Sequence, residues 1–507
     1  MTYIISLFVL AFSILGFYFY FKDAQKQKTS RIDKFFMAGR NIGVNLFTKA
    51  TWATSHGYGN SIFYAIWLGY TIGLAGIWIQ MFWCLGICLY ALIVGKLIHH
   101  TENYTLHGFL GSLFGMKTRY IASAVSLIGL FVCIGFEISF ASGFFSQILG
   151  FSNLRIPTII VFAIFIAAFC SIGGFTANAR TDGWSNWLAT SSVILLIFII
   201  YIKFKNTETL NTILSKQSIS NSFKAPDDNW FLIGLLFFGL YQFIDMTNWQ
   251  TVSANSLKED RKSIRSMQFA LLKSAGLISL FPILTGTVVG YLFKAISSEL
   301  VNQDTFIFDM IKGSLFDNSI GMIIALAFIT FAFMASSLSA TNSWLLASAQ
   351  TISWDIFDYN KFKKADFKVS KMNDETQEKL TNNSKNILMI VGVVTSLGIY
   401  LISLKWAEVF NLQFVMFGAG LSMIPSLFYG LIFPNTRNKV ISMFAFLSIA
   451  SGLSYALWNF IESVRLVTPN SVYKIPPITL AISLAVFLLG ILVSLICKTE
   501  FFKKQSN

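Results

Sequence analysis

Long apolar runs alternate with short polar connections along the whole chain. Each run is close to the length of about 20 mostly apolar residues that a helix needs to cross a bilayer. The runs occupy residues 3–21, 44–68, 70–98, 120–149, 157–175, 184–204, 230–249, 266–293, 319–350, 387–404, 409–433, 440–461 and 476–497. This pattern predicts an all-α membrane protein with about thirteen transmembrane helices.

The composition agrees with a membrane protein and narrows the class. Apolar residues make up 55% of the 507 positions and charged residues only 12%, about half the charged share of an ordinary soluble domain. These values exclude a soluble enzyme, a disordered protein, a fibre and a disulfide scaffold. The first run has no basic residue ahead of it and no cleavage site of small residues, so we expect a retained span.

The distribution of basic residues predicts the orientation. A net charge of +14 would also suit a nucleic-acid-binding protein. With the N-terminus outside, however, 25 of the 38 Lys and Arg residues fall in cytoplasmic segments and 9 in outer connections, as the positive-inside rule requires. We therefore predict a multi-pass protein of the cell membrane, such as a bacterial inner membrane, with a cytoplasmic C-terminus. Its partner is the lipid bilayer and not a nucleic acid.

The second run contains an unusually polar stretch, Thr51-Trp-Ala-Thr-Ser-His-Gly-Tyr-Gly-Asn-Ser61. Two glycines and several small polar side chains at this depth suit a broken helix, which is tolerated only where it lines a cavity or packs within protein. Freed carbonyls at a break can coordinate a small cation, and freed amides can meet a substrate. The alternative is that these small residues only allow close packing of helices.

The ninth run carries a stripe of hydroxyl groups within Ala335-Ser-Ser-Leu-Ser-Ala-Thr-Asn-Ser343. Ser336, Ser339 and Ser343 follow i, i+3, i+7 spacing and share one face of a helix. Such a surface offers oxygen ligands that suit Na⁺. The alternative is hydrogen bonding between helices.

Four ionisable residues lie well inside the runs, namely His56, Glu137, Asp182 and Asp245. Charged groups in hydrocarbon are costly and usually face a cavity or a partner. Glu137 is therefore a candidate to take up a proton or to pair with a substrate cation, unless it is a hydrogen-bonded structural residue. For Asp245, helix capping or contact with a cytoplasmic Lys is the alternative to ligand binding.

Four segments of the chain have distinctive patterns. They are Ile32-Asp-Lys-Phe-Phe-Met-Ala-Gly-Arg40, Gly173-Gly-Phe-Thr-Ala-Asn-Ala-Arg-Thr-Asp182, and the segments 339–355 and 103–109. Together they resemble motifs of the sodium:solute symporter family, which includes sodium–sugar, sodium–proline and sialic acid symporters. The first is similar to the family's loop after the first span, the second to its connection into the sixth span and the third to its ninth-span pattern. The fourth resembles the loop after the third span, although the usual Pro-Glu is replaced. The resemblance runs in order from residue 32 to about 355.

The resemblance implies the LeuT-type fold, two inverted five-helix repeats whose first helices are broken at the level of the substrate. We expect one transporter domain over residues 1–507. Its predicted parts are an extra N-terminal span at 3–21, repeats at 44–204 and 230–433, a cytoplasmic loop at 351–386 and two further spans within 440–497. The breaks are expected near 54–60 and 239–245.

The resemblance also implies ligands for a shared Na⁺ site. Carried onto this chain, they are the carbonyls of Thr54, Gly57 and Ser336 and the hydroxyl of Ser339. The family's second hydroxyl position is occupied by Ala340. A site that loses one oxygen is expected to hold Na⁺ more weakly.

A second Na⁺ site of some family members corresponds to Asp182 and Ser343 in this chain, with Asn342 in place of a hydroxyl. His56 stands beside the shared site. Imidazole titrates near neutral pH, so His56 is a possible proton site and H⁺ is a possible coupling ion instead of Na⁺.

The function that this resemblance implies is secondary-active import of a small polar organic solute, by alternating access and driven by a cation gradient. Alternatives are a membrane sensor of the same fold, an uncoupled facilitator and a membrane enzyme. Only ten residues follow Cys497, which leaves no output domain in this sequence, and no catalytic constellation is recognisable. No obligatory protein partner is inferred. The candidate substrate-binding residues are Asn60, Ser61, Gln80, Glu137, Tyr241 and Gln242.

Overall fold

A computed structural model describes most of the chain, and all of the regular structure in that part is helical. The described residues are 16, 18–19, 21–26, 28–54, 57–103, 105–148, 150, 152–224, 230–255, 261–281, 287–296, 319–357, 371–404, 411–434, 438–466 and 474–505. Most of the predicted first span at 3–21 therefore lies outside the described residues.

The α-helices follow the apolar runs and are numbered here in chain order. They are α1 Ile32–Met37, α2 Val44–Ala53, α3 Tyr64–Ile72, α4 Gly76–Leu97, α5 Leu106–Phe114, α6 Met116–Ile148, α7 Arg155–Phe204, α8 Glu208–Ile213, α9 Lys216–Ser222, α10 Trp230–Gly234, α11 Leu240–Ile244, α12 Met246–Ser253, α13 Arg261–Phe281, α14 Thr287–Ile296, α15 Ile320–Gln350, α16 Asp374–Ser403, α17 Asn411–Gly420, α18 Ile424–Ile432, α19 Lys439–Leu466 and α20 Ile475–Gln505. Wider π-helical turns precede α3 at Tyr58–Phe63 and α11 at Leu235–Gly239, and follow α15 at Thr351–Phe357.

Eight helical stretches in the described part of the chain are long and apolar enough to cross a membrane. Two of them hold more than one predicted span. Tyr58–His100 contains the end of the second span and the whole third, and Arg155–Phe204 contains the fifth and sixth. The seventh predicted span is divided into short helices by a break. The total of thirteen spans therefore stays a prediction.

Both predicted helix breaks are present. The α2 helix ends at Ala53, and helical structure resumes at Tyr58 after Gly57, whose φ of −62° and ψ of 145° are those of extended backbone. The second break lies at Asp245, with φ −67° and ψ 115°, between α11 and α12. Each break frees backbone amides and carbonyls from helical hydrogen bonding.

Two of the sequence motifs pack against each other near one end of the bundle. Gly174 kinks α7 with a φ of 55° and a ψ of −152°, a backbone region open almost only to glycine. A methyl group built on Gly174 would lie 2.5 Å from the carbonyl oxygen of Phe35. The kink thus allows the loop at 32–40 to lie directly on α7, which fixes the direction in which the sixth span enters the bundle.

The centre of the bundle is formed by α6 and α15, which are buried along most of their length, whereas α20 is largely exposed. On α20, Leu484, Leu488, Leu492 and Leu495 are 44–57% exposed and recur every three or four residues, so they share one face. An apolar exposed face of this kind suits contact with lipid. Glu137 on α6 and Ser337 and Ser339 on α15 are polar residues of these two central helices.

Candidate functional site

A cavity of about 40 Å³ lies between the two helix breaks. Such a volume holds about three water molecules, so a solute of several heavy atoms requires its walls to move apart. The lining residues come from both breaks and from the helices around them. They are Thr54, Asn60, Ser61, Tyr64, Gln80, Trp83, Cys133, Phe238, Tyr241, Asp245, Trp344, Gln413 and Phe417.

Four of the six predicted substrate-binding residues meet at this cavity, namely Asn60, Ser61, Gln80 and Tyr241. Glu137 and Gln242 are not among its lining residues. Gln242 faces away, because its side-chain and backbone oxygens both accept hydrogen bonds from the Asn248 amide, at 3.0 and 3.1 Å. These bonds span the break at Asp245, which gives Gln242 a structural contact.

Glu137 is fully buried on α6 and accepts four hydrogen bonds. The backbone amides of Gly59 and Asn60 donate at 2.9 and 3.0 Å, and the side-chain amide of Asn60 donates at 2.9 Å. The Ser337 hydroxyl on α15 donates at 2.6 Å. The carboxylate thus caps the N-terminus of the helix that resumes after the first break, where free amides favour negative charge. Of the two interpretations of Glu137, this geometry favours the one in which it is a hydrogen-bonded structural residue.

Asn60 connects this carboxylate to the cavity. Its side-chain amide also donates to the carbonyl of Cys133 at 3.0 Å, and its side-chain oxygen accepts a 2.5 Å hydrogen bond from Gln413. Four separate helical segments are therefore joined through Asn60 and Glu137. Gln413 is not among the predicted site residues, because its only signal in the sequence is an isolated amide in an apolar run.

Asp245 is 6% exposed and also lines the cavity. Its Oδ1 accepts hydrogen bonds from the backbone amide of Thr247 at 2.8 Å and from the Thr247 hydroxyl at 2.7 Å. It is thus the N-cap of α12, as one of the alternatives for this residue expected. Its Oδ2 accepts no hydrogen bond from the described residues. The carboxylate therefore caps a helix with one oxygen and keeps the other available.

Six aromatic side chains form much of the cavity wall, and only Tyr241 among them was a predicted site residue. Trp83 and Tyr241 are stacked with their ring centroids 6.2 Å apart, and Phe417 meets Tyr241 edge-on at 4.4 Å. Phe238 lies 5.9 Å from Trp83. Aromatic residues are common in apolar runs, so sequence alone does not separate those that face lipid from those that face a cavity.

The candidate ligands of the shared Na⁺ site lie around the first break. Thr54 follows the end of α2 and lines the cavity, and Ser336 is fully buried on α15. The carbonyl of Gly57 already accepts hydrogen bonds from the amides of Ser61 and Ile62, both at 3.1 Å. A cation bound there would compete with these bonds. Ala340 faces the break, because a methyl group built on Gly57 would lie 3.1 Å from its Cβ.

The two sets of predicted Na⁺ ligands meet at Asp182. The Ser339 hydroxyl donates a 2.6 Å hydrogen bond to Asp182 Oδ1, and both residues are buried. Asp182 Oδ2 is also buried but has no hydrogen-bond partner in the described part of the chain. Ser343 is half-buried and makes no hydrogen bond to Asp182. The structure thus brings Asp182 to Ser339 and does not bring it to Ser343.

Further polar side chains lie along the same packing surface between α7 and α15. Within the described residues, the side-chain oxygens of Asn178 and Asn342 are buried without hydrogen-bond partners. Cys170 links the two, since its thiol donates to the Asn342 carbonyl at 3.7 Å and accepts from the Asn178 amide at 3.8 Å. Asn178, Asp182, Ser339 and Asn342 are called the polar seam below. Buried oxygens without a hydrogen-bond partner are rare in proteins and indicate a further partner such as an ion or a water.

His56, the possible proton site, lies outside the described residues. Its role stays a prediction from the sequence.

A model of the sodium:solute symporter family matches residues 35–437. The chain belongs to this family. A comparison with curated proteins gives no significant match. The family match covers residues 35–40 of the first motif and the whole of the other three, and it includes both helix breaks and the polar seam.

Comparison with solved structures shows the fold of this family member. The chain is similar to a Na⁺-coupled sialic acid symporter in a substrate-bound outward-open state, with 15% identity, a TM-score of 0.70 and 97% of each chain covered. It is also similar to MHP1, a nucleobase-cation-symport-1 family transporter, in a closed conformation with bromovinylhydantoin bound. That match has 12% identity and a TM-score of 0.54 and covers 92% of this chain and 95% of MHP1.

A third similar structure is a manganese transporter from Eremococcus coleocola in complex with an aromatic bis-isothiourea substituted compound. It has 9% identity and a TM-score of 0.52, with 89% of this chain and 94% of the transporter covered. At such low identities these matches show the fold alone. They confirm the predicted all-α membrane protein with the LeuT-type fold.

Away from the cavity, this symporter-family chain has a buried charged cluster at the end of α15. Asp355 accepts hydrogen bonds from Thr105 at 2.9 Å and from Arg119 at 2.5 Å. His107 lies 3.0 Å from its other oxygen. Asp355 is 248 residues from His107 in the sequence, so the spacing of residues in this loop gives no sign of the pair. The cluster ties the loop after the third span and the start of α6 to the ninth span.

Proposed function

We propose that this chain imports a small polar organic solute by symport with Na⁺, through alternating access around the central cavity. The observation that carries the proposal is the buried Asp182 carboxylate, whose Oδ1 accepts a hydrogen bond from Ser339 while Oδ2 has no hydrogen-bond partner in the described residues. A carboxylate oxygen at this depth is costly unless it is protonated or meets a cation. Membership of the sodium:solute symporter family supports Na⁺ as that cation.

The donor set of the polar seam fits Na⁺. Hard cations prefer oxygen ligands, and the seam offers the free carboxylate oxygen of Asp182 and the free side-chain oxygens of Asn178 and Asn342. The shared site near the first break is the weaker candidate. Ala340 contributes no oxygen there, and the Gly57 carbonyl is already used by two backbone amides. We therefore propose the seam as the main site of Na⁺ binding, with Ser343 as a further ligand if its side chain turns inward.

Coupling follows from the position of the seam beside the cavity. Ser339 and Ser337 lie two residues apart on α15, and Ser337 bonds to Glu137, which holds the helix that begins after the first break. An ion that orders this part of α15 would therefore also order the cavity wall. We propose that Na⁺ binding in this way favours the conformation that accepts solute, as population shift requires.

Proton coupling is the second candidate. The same unpartnered oxygen of Asp182 would be satisfied by a proton, and His56 is a second possible carrier. We further propose the orientation expected from the basic residues, with import toward the side that carries 25 of the 38 Lys and Arg residues.

The proposal is tested in proteoliposomes that contain the purified protein. Uptake of radioactive sodium down its gradient is measured while sugars, amino acids, vitamins, carboxylates and ammonium compounds are added in turn. At least one solute is expected to accelerate sodium entry, and Asp182→Asn is expected to abolish the acceleration in protein that still elutes as a folded monodisperse species. Exchange of a solute with protons and without sodium would favour the second candidate. If no solute in any class exchanges across the membrane, transport is wrong and a sensor becomes the better interpretation.

A further inference from the structure

We propose that the solute is an organic cation whose ammonium group binds in the central cavity between Asp245 and the aromatic wall. The assignment deepens the proposed function, since it names the substrate class of the same cavity. It rests on three features of the described residues, namely an available carboxylate oxygen, the aromatic lining and the absence of a basic side chain from that lining.

The first feature is that the two oxygens of the Asp245 carboxylate have different surroundings. Oδ1 is held by two hydrogen bonds from Thr247, at 2.8 and 2.7 Å, so the side chain has a fixed direction. Oδ2 accepts no hydrogen bond from the described residues, although Asp245 is 94% buried and lines the cavity. A helix cap needs only one oxygen. The second oxygen is therefore available to a ligand that donates hydrogen bonds or carries a positive charge.

The second feature is the wall opposite a charged group. Tyr64, Trp83, Phe238, Tyr241, Trp344 and Phe417 line the same cavity as Asp245. Trp83 and Tyr241 are stacked at 6.2 Å and Phe417 meets Tyr241 at 61°, so ring faces and ring edges are presented in more than one direction. Aromatic faces attract desolvated cations, and cages of such rings recognise substituted ammonium groups.

The third feature is the balance of charge. No Lys, Arg or His occurs among the described residues that line the cavity. A second carboxylate, Glu137, lies behind Asn60, and its four hydrogen-bond donors are all uncharged. An anionic solute would therefore add a third negative charge in a poorly solvated space, where Coulomb repulsion is strong. A cationic solute would balance the negative charge, which no basic side chain in the described lining neutralises.

An inorganic cation at Asp245 fits these surroundings less well. Small hard cations need several oxygen ligands to replace their hydration shell, whereas six of the thirteen lining residues are aromatic. Ring faces replace part of the hydration shell of an ammonium group at much lower cost. The polar seam, by contrast, presents oxygens without rings, so the two regions suit different cations.

The test uses probes of one shape and three charges. Choline, 3,3-dimethylbutan-1-ol and 3,3-dimethylbutanoate share the same branched end and differ in net charge. Ethylammonium, 1-propanol and propanoate form a smaller series that needs less movement of the cavity wall. Binding to the purified full-length protein is measured by isothermal titration and by the shift in unfolding temperature. In at least one series, the cation is expected to bind about tenfold or more tightly than the alcohol, and the anion least.

Three variants separate this site from a general effect on folding. Asp245→Asn keeps a residue that caps helices well but removes the charge. The affinity for the cation should therefore fall to that for the alcohol, and the affinity for the alcohol should stay the same. Trp83→Leu should weaken binding of the cation more than binding of the alcohol. Thr247→Val is the matched control, because it removes one hydrogen bond to Asp245 and keeps the carboxylate, and it should retain the preference for the cation.

The proposal is overturned if the alcohol or the anion binds as tightly as the cation, if no ammonium compound of either series binds, or if Asp245→Asn keeps the charge preference. It is also overturned if Asp245→Asn abolishes stabilisation by Na⁺, since Asp245 would then hold the coupling ion. Na⁺-coupled uptake of a neutral or anionic solute would refute this assignment and leave the proposed symport intact. Ammonium binding without any coupled transport would support this assignment and refute the proposed symport.

Discussion

The hydroxyl of Ser339 lies 2.6 Å from the carboxylate of Asp182 and donates a hydrogen bond to it. This contact joins α15 to α7, and both residues are buried. The family resemblance assigned the two residues to different Na⁺ sites, but in this chain they are direct neighbours. A ligand at one of them therefore changes the surroundings of the other, and the two candidate sites act as one polar region.

The first prediction compares two serines of the hydroxyl stripe. Ser339→Ala removes the only described hydrogen bond to the Asp182 carboxylate, so we expect apparent Na⁺ affinity to fall by about tenfold or more, as for one lost hydrogen bond to a charged group. Ser343→Ala removes a hydroxyl that makes no hydrogen bond to Asp182, so it should lower the apparent Na⁺ affinity less. The measurement is the sodium concentration that gives half-maximal thermal stabilisation. A larger effect at Ser343 would show that the side chain turns inward when the ion binds.

The positions of the helix breaks could be predicted from the sequence because glycine and small polar residues are poor material for a lipid-facing helix. Which side of each helix faces the cavity could not be predicted. Tyr241 and Gln242 are adjacent and both polar, yet only Tyr241 lines the cavity, since a helix turns by about 100° at each residue. The same limit applies to Glu137, whose depth was clear from the sequence while its hydrogen-bond partners were not.

Long-range partners were the other part that sequence could not supply. Asp355 was recognised only as the end of a motif, and its contacts with His107 and Arg119 join segments more than 230 residues apart. Gln413 similarly reaches Asn60 across 353 positions. A single sequence contains no signal for such pairs, because only the packed helices bring them together.

The second prediction concerns the stability of the first break. Glu137→Gln replaces one carboxylate oxygen by an NH₂ group that faces donors, so hydrogen bonds from Gly59, Asn60 or Ser337 are lost. We expect the free energy of unfolding to fall by about 3 kcal/mol, as for an unsatisfied buried charged network. Ser337→Ala is the control and should cost about 1 kcal/mol. Both are measured by thermal unfolding in detergent. Equal, small effects would show that the carboxylate is not required to hold the broken helix.

The third prediction concerns the cluster at the end of α15. Asp355→Asn removes the carboxylate that pairs with the buried Arg119 guanidinium, which should destabilise the protein by about 3–5 kcal/mol and lower its yield in membranes. Adding Arg119→Gln removes the charge of the other partner, so the double variant should recover part of that loss. Yield and unfolding temperature of the two variants decide the question. If the double variant is no better than Asp355→Asn, the hydrogen bonds of Asp355 to Thr105 and His107 are the larger contribution.

The fourth prediction concerns His56 and follows from the sequence. If this residue carries a coupled proton, His56→Asn should flatten the pH dependence of solute-stimulated sodium exchange between about pH 5.5 and 8, around the reference pKa of histidine. The wild-type protein measured in parallel is the reference. An unchanged pH profile, together with insensitivity to a proton ionophore at clamped voltage, would leave His56 as a neutral hydrogen-bonding residue of the break.

The fifth prediction restores the oxygen that this chain lacks at the shared Na⁺ site. Ala340 lies against Gly57 at the first break, since a methyl group built on Gly57 would come within 3.1 Å of the Ala340 Cβ. Ala340→Ser therefore places a hydroxyl beside the backbone that would bind the ion. Apparent Na⁺ affinity should rise by about fivefold, the effect of one added neutral ligand worth about 1 kcal/mol.

Ala340→Cys is the matched control for that substitution. Cysteine is close to serine in size, but its soft sulfur is a poor ligand for a hard cation, so it should add bulk without raising Na⁺ affinity. Both variants are compared by sodium-dependent thermal stabilisation and by sodium exchange in proteoliposomes. If Ser and Cys at this position have the same effect, position 340 acts through packing against Gly57. Na⁺ must then bind without the shared site, and the polar seam around Asp182 would have to supply its ligands.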